Sequence, residues 1–111
     1  MGKINSRSKG CVGEREVRDL LKGFGYDARR GQQYCGANGD PDVVSSLEGF
    51  HIEVKRVERF NLYSALHQAD GDKREGEESL IFHRKNKERW VVALDAEVFL
   101  RLLDKVMDNE V

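Results

Sequence analysis

Two carboxylates and a lysine stand close together in the segment GDPDVVSSLEGFHIEVKRVERF, Gly39 to Phe60. Asp42 opens one strand-like run, Glu53 lies inside the next, and Lys55 follows two positions on. An unpaired charge is costly to bury, so acids placed in apolar strand sequence call for a partner. Strand side chains alternate between faces, so His51, Glu53 and Lys55 share one face while Ile52 and Val54 point to the other. With a tight turn near Glu48 and Gly49, pairing of the two strands brings Asp42 towards Glu53 and Lys55. Two carboxylates and an ammonium at one hairpin end suit a hard divalent cation. Mg²⁺ keeps several waters and is typically held by one or two carboxylates plus a substrate phosphate. A neighbouring lysine can orient a water or steady charge building up on phosphorus. The plainer account is a surface salt bridge between Glu53 and Lys55.

Glu14 is a third acid in an unusual place. Val17 and Leu21 follow it by three and seven residues, so it rides on the inward face of a helix, where carboxylates need partners. A metal, Arg15 and its neighbours, or a structural ion pair with Arg30 would each serve. His51, His67 and His83 are spaced sixteen apart and match no known ligand set, which reads as strand and helix surface positions, with His51 nearest the acids. No P-C-x-x-C follows His51-x-Glu53, and there is no H-E-x-x-H, P-loop or nucleophile elbow. Trp90, Phe82 and Phe99 read as core, and Tyr34 and Tyr63 as packing residues. Cys35 reads as a small filler.

The elements that must carry these residues follow from periodicity. A helix is expected from about Ser8 to Gly23, with Val17, Leu20, Leu21 and Phe24 at helical spacing and glycines as stops. YDARRGQQ reads as a short strand running into a loop, and CGANGDP as turns. DVVSS and FHIEVKRV read as an antiparallel hairpin. NLYSALHQADG is a helix opened by Asn61 and ended near Gly71. SLIFHRK and ERWVVAL are two further strands. Asp95 caps a closing helix whose stripe is Val98, Phe99, Leu102, Leu103 and Val106. The order α-β-β-β-α-β-β-α predicts an α/β fold, a central sheet of about five strands with helices on its faces.

Length bounds the rest. The 111 residues are expected to form a single domain, 1–111, with 35% charged and 39% hydrophobic residues suiting a solvated globule. No apolar run approaches the ~20 residues that span a bilayer. The opening MGKINSRSKG is polar and basic, with no export-type apolar segment, and two cysteines far apart fit a reducing cytoplasm. The fit of MGKINS to the myristoylation pattern rests on three residues only. Net charge is −1, but residues 1–31 hold eight Lys/Arg against four Asp/Glu, and residues 95–111 two against five. One face could thus carry a positive field, though ordinary solvated helices explain the asymmetry equally well.

Pro41-Asp42, ten residues, then Glu53-Val54-Lys55 resembles the signature layout of the PD-(D/E)xK nuclease superfamily. SRSKGCVGEREVRDLLKGFGYDARR resembles the first helix and arginine strand of archaeal-type Holliday-junction resolvases, and of small bacteriophage proteins of that group. IFHRKNKERWVVAL is similar to their final strand pair, so the likeness runs from about Ser6 to Leu103. It implies a restriction-endonuclease-like mixed sheet and a Mg²⁺-dependent endodeoxyribonuclease, with Mn²⁺ able to substitute. Asp42 and Glu53 would be metal ligands, the Val54 carbonyl would complete the set, and Lys55 would assist the attacking water. Glu14 would be the helix-borne acid near the metal, and Gln68 the glutamine beside the site. Arg15 and Arg30 would contact phosphate. Where the resolvases often have a serine after the arginine strand, this chain has GQQYCG, with Gln32 or Gln33 as a substitute.

On this reading the substrate is DNA, most naturally branched, with Arg15, Arg29, Arg30, Arg56 and Arg84 as candidate backbone contacts and base stacking as the alternative to packing for Tyr34 and Tyr63. Resolving a junction takes two opposed cuts, which implies a symmetric homodimer in the cytoplasm of a cell or, for a phage protein, its host. A flap or single-strand nuclease, a restriction-type enzyme and a non-catalytic DNA-binding module of the same fold are the alternatives.

Overall fold

The computed structural model describes residues 6–32 and 40–109, with side chains from Lys9 to Gln32 and from Asp40 to Asp108. Gln33, Tyr34 and Cys35, and with them most of the Gln32–Gly36 loop, lie outside the described residues.

The chain runs α1 (Ser6–Gly23), β1 (Ala28–Arg30), β2 (Val43–Ser45), β3 (Phe50–Arg56), α2 (Leu62–Asp72), β4 (Glu78–Arg84), β5 (Val91–Ala93) and α3 (Ala96–Asn109). The five strands form one sheet in sequence order. β1–β2, β2–β3 and β4–β5 are antiparallel, whereas β3 and β4 run parallel, joined through α2. β3 and β4 are the long central strands, buried along most of their length, and the outer strands have three residues each. Short edges limit unwanted strand pairing.

The alternation in β3 sorts the two faces. Ile52 and Val54 join Val43, Leu80 and Phe82 beneath Val17 and Leu21 of α1, with Trp90 and Leu94 packed alongside. On the other face Ile81 is covered by Ala65 and Ala69 of α2. Small residues at those two helix positions let α2 lie close to the sheet. Asn61 caps α2 by accepting from Ser64 N at 2.9 Å, and Asp95 caps α3 by accepting from Glu97 N at 2.9 Å. Such caps contribute about 1 kcal/mol each.

Two glycines set the spacing around Asp42 and β3. A Cβ on Gly13 would lie 2.7 Å from Arg56 Cβ, so α1 can approach β3 only without a side chain there. A Cβ on Gly31 would meet the Pro41 carbonyl oxygen at 1.8 Å, and Gly31 N donates to Asp42 O at 2.9 Å.

Three expectations are corrected. His51 is not a surface histidine: it is 2% exposed. Tyr63 is an exposed residue of α2, not a packing one. The α3 stripe is largely uncovered, with Val98 buried but Phe99 47% exposed and Leu103, Val106 and Met107 also exposed. Periodicity identifies the apolar side of a helix but not what covers it.

Candidate active site

The β2–β3 pairing places Val43 across from Ile52, and Asp42 N donates to Ile52 O at 3.0 Å. The next step in that register sets Asp42 against Glu53, whose side chain is buried in the central strand. The two carboxyl groups are hydrogen-bonded to each other, which requires one proton between them. Asp42 Oδ2 also accepts from Val54 N at 2.8 Å, so its position is fixed from the backbone of β3.

The proton belongs to Asp42. Burial, the hydrogen bond to Glu53 and the Glu53 charge push it up to about 8, with Glu14 adding to the rise and the Val54 N–H opposing it. Burial also pushes Glu53 up, but its hydrogen bonds to His51 and Asp42 and the charges of His51 and Lys55 outweigh this and hold it low. His51 Nε2 lies 2.6 Å from Glu53 Oε1. Burial alone would lower His51, yet that contact and the charges of Glu53, Glu77 and Asp72 raise it. A protonated Asp42, an ionised Glu53 and a proton-rich imidazole therefore form one chain.

Lys55 Nζ donates to Gln68 Oε1 at 2.9 Å, so the lysine is held by α2 and its hydrogen bond goes there rather than to Glu53. Lys55, Gln68, Arg59, Phe60 and Asn61 line an open cavity of about 170 Å³ beside the start of α2. Glu14 meets Arg30 at 3.0 Å, the ion-pair alternative for this acid, and Arg30 also reaches Cys11 Sγ at 3.1 Å. Its charge still acts on Asp42.

Arg30, paired with Val43 and bonded to Glu14 of α1, lies on the α1 side of the sheet, and Arg29, paired with Val44, on the opposite side. Arg15 is exposed on α1, and Arg29 is exposed beside Asp40 at 3.3 Å. Arg56 and Arg84 lie on the α1 side of the sheet, away from Lys55. Arg84 is bonded to both Glu16 oxygens, at 3.0 and 2.6 Å, and Arg56 to Glu58 and Asn86. Gln32 N donates to Asp40 Oδ2 at 3.0 Å.

Residue-type reasoning missed Glu16, Asp72 and the role of His51. His51 was visible by strand parity, two positions from Glu53. Asp72 had no local signal, because its place depends on how α2 crosses from β3 to β4. His51, Glu53 and Asp72 each offer a ligand atom, all within 4.8 Å of one another.

No family model and no curated relative matches the chain. Among solved structures it is similar to the 1.6 Å structure of Archaeoglobus fulgidus Hjc, a Holliday junction resolvase from an archaeal hyperthermophile. The TM-score is 0.54 at 19% identity, over 76% of this chain and 75% of that one. This likeness is one of fold. Five strands in a mixed sheet flanked by three helices are here the restriction-endonuclease-like α/β architecture. Among the described residues, no helix is long and apolar enough to cross a membrane.

Proposed function

We propose that this chain is a divalent-metal-dependent endodeoxyribonuclease of the PD-(D/E)xK type that cuts branched DNA, with four-way junctions as its first substrate. The observation that carries the reading is the Asp42–Glu53 carboxyl pair at the β2–β3 step, Glu53 buried and Asp42 half-buried, with Lys55 two residues on, in a fold shared with a junction resolvase. The donor set fits Mg²⁺: two oxygen acids that cannot both ionise alone, one of them already low and the other waiting to lose its proton.

Asp42 and Glu53 would hold the ion with the Val54 carbonyl. A bound cation supplies charge neutralisation at the phosphate and a water of lowered pKa. Lys55, steadied by Gln68, would align the attacking water. Glu14 would add negative charge near Asp42 while Arg30 restrains it. Arg15, Arg29 and Arg30 would contact phosphates. Arg56 and Arg84, tied to carboxylates, would engage DNA only by giving up those bonds, as Arg30 would its bond to Glu14. Gln33, outside the described residues, is the further candidate for a DNA contact. The uncovered apolar side of α3 supports a homodimer that presents two sites to opposed strands.

The test offers the purified protein a four-way junction, a flap, a linear duplex and single strands, with Mg²⁺, Mn²⁺ or EDTA. Paired nicks across the junction, lost in EDTA, are expected. Preference for flaps would move the reading to a flap nuclease, and binding without cutting to a DNA-binding module.

A further inference from the structure

His51 is an imidazole enclosed in a central strand, 2% exposed, with the carboxylates of Glu53 and Asp72 close by. Its Nε2 points at Glu53 Oε1 at 2.6 Å, and an oxygen of Asp72, at the end of α2, completes a three-atom set within 4.8 Å. Ligand atoms of one tetrahedral ion at about 2.0–2.2 Å lie roughly 3.5 Å apart, so His51 and Glu53 part slightly and the exposed Asp72 closes in for the three to share an ion. The set mixes one imidazole with two carboxylates. Hard Mg²⁺ prefers oxygen and water, whereas imidazole favours Zn²⁺, Mn²⁺ and neighbouring transition metals.

We propose that His51, Glu53 and Asp72 form a second cation site, selective for a borderline transition metal such as Zn²⁺ or Mn²⁺ over Mg²⁺. The ion takes the place of the proton on the His51–Glu53 line, and that proton leaves to solvent. Glu53 is common to this site and to the Asp42 site, so the two are adjacent. The proposal otherwise uses neither Asp42 nor Lys55 and stands whether or not the chain cuts DNA.

The experiment is a calorimetric titration of the full chain with Zn²⁺, and separately with Mg²⁺, for the wild type, His51→Gln, Asp72→Asn and Asp42→Asn. Zn²⁺ affinity should drop more than about tenfold in His51→Gln and Asp72→Asn. Mg²⁺ affinity should drop in Asp42→Asn and hold in Asp72→Asn. Because His51→Gln alters a buried position, imidazole ¹⁵N spectra of the wild type provide a second readout. Zn²⁺ should move the His51 Nε2 resonance. Movement confined to His67 or His83, or Zn²⁺ affinity unchanged by Asp72→Asn, overturns the site. A protein that binds Zn²⁺ as described yet leaves every DNA substrate intact would remove the nuclease reading alone.

Discussion

Glu53 is gripped from two sides: His51 Nε2 stands 2.6 Å from its Oε1, and its carboxyl also shares a hydrogen bond with Asp42. The acid is thus held ionised in a strand interior, while Asp42 keeps the proton that the pair cannot both lose.

That division has a sign in pH. Asp42 sits at about 8 in the folded chain against an ordinary value of 3.8, so between those values the folded state binds the extra proton. Stability without metal should be present at the acid end of this window and fall as pH rises towards about 8. His51, also raised, gives a fall of the same sign above its ordinary 6.5, while the lowered Glu53 acts only below its ordinary 4.5. Thermal melts across the window, with and without Mg²⁺, check this, and saturating Mg²⁺ should flatten the slope. Metal-free stability that climbs with pH there would contradict the assignment of the proton.

Asp42→Asn should separate chemistry from folding. The amide keeps the volume and a donor towards Glu53 but cannot ionise. Melting temperature at about pH 8 should rise, while cutting falls by more than about a thousandfold. A variant that cuts normally would place the site elsewhere.

Lys55 and Gln68 should differ in degree. Lys55→Ala is expected to lower kcat by about 10²–10⁴-fold, and Gln68→Ala, which frees the lysine without removing it, by roughly 10–100-fold. Single-turnover cleavage of a junction is the measurement. Equal losses would mean that Gln68 acts on substrate directly.

Gly13→Ala forces a Cβ to within 2.7 Å of Arg56 Cβ, between α1 and β3. A loss of about 1–3 kcal/mol in urea unfolding is expected, the usual cost of overpacking. No loss would mean that α1 docks more loosely than described.

Leu100→Glu together with Leu103→Glu adds charge to the uncovered side of α3. Sedimentation should show dimers of the wild type and monomers of the double variant, with circular dichroism unchanged. A wild type that is monomeric at every concentration tested would remove the pairing surface.

Local pattern carried the eight elements, because each depends on near neighbours: Asn61 and Asp95 cap where side-chain chemistry says they should, and parity in β3 puts Ile52 and Val54 opposite Glu53 and Lys55. The meeting of Asp42 and Glu53 was legible too, since one short hairpin decides it. What was hidden depends on longer connections. His51 is buried because β4 pairs with β3 in parallel and α2 closes over that face, and Asp72 reaches it only through the same crossover. Glu14 was readable as inward-facing, but the choice of Arg30 as partner is made by β1. The α3 stripe announced an apolar side without naming its neighbour.

The ends of the β1–β2 connection are tied to each other: Asp40 N donates to Gln32 O at 3.2 Å, and Gly31 N to Asp42 O. These two bonds extend the main-chain ladder that holds Asp42, which also donates from its own N to Ile52 O at 3.0 Å. Asp42 is therefore anchored through main-chain groups on both flanks, to Gly31 on one side and to Ile52 and Val54 on the other, so its carboxyl is held in place before any ion or substrate arrives.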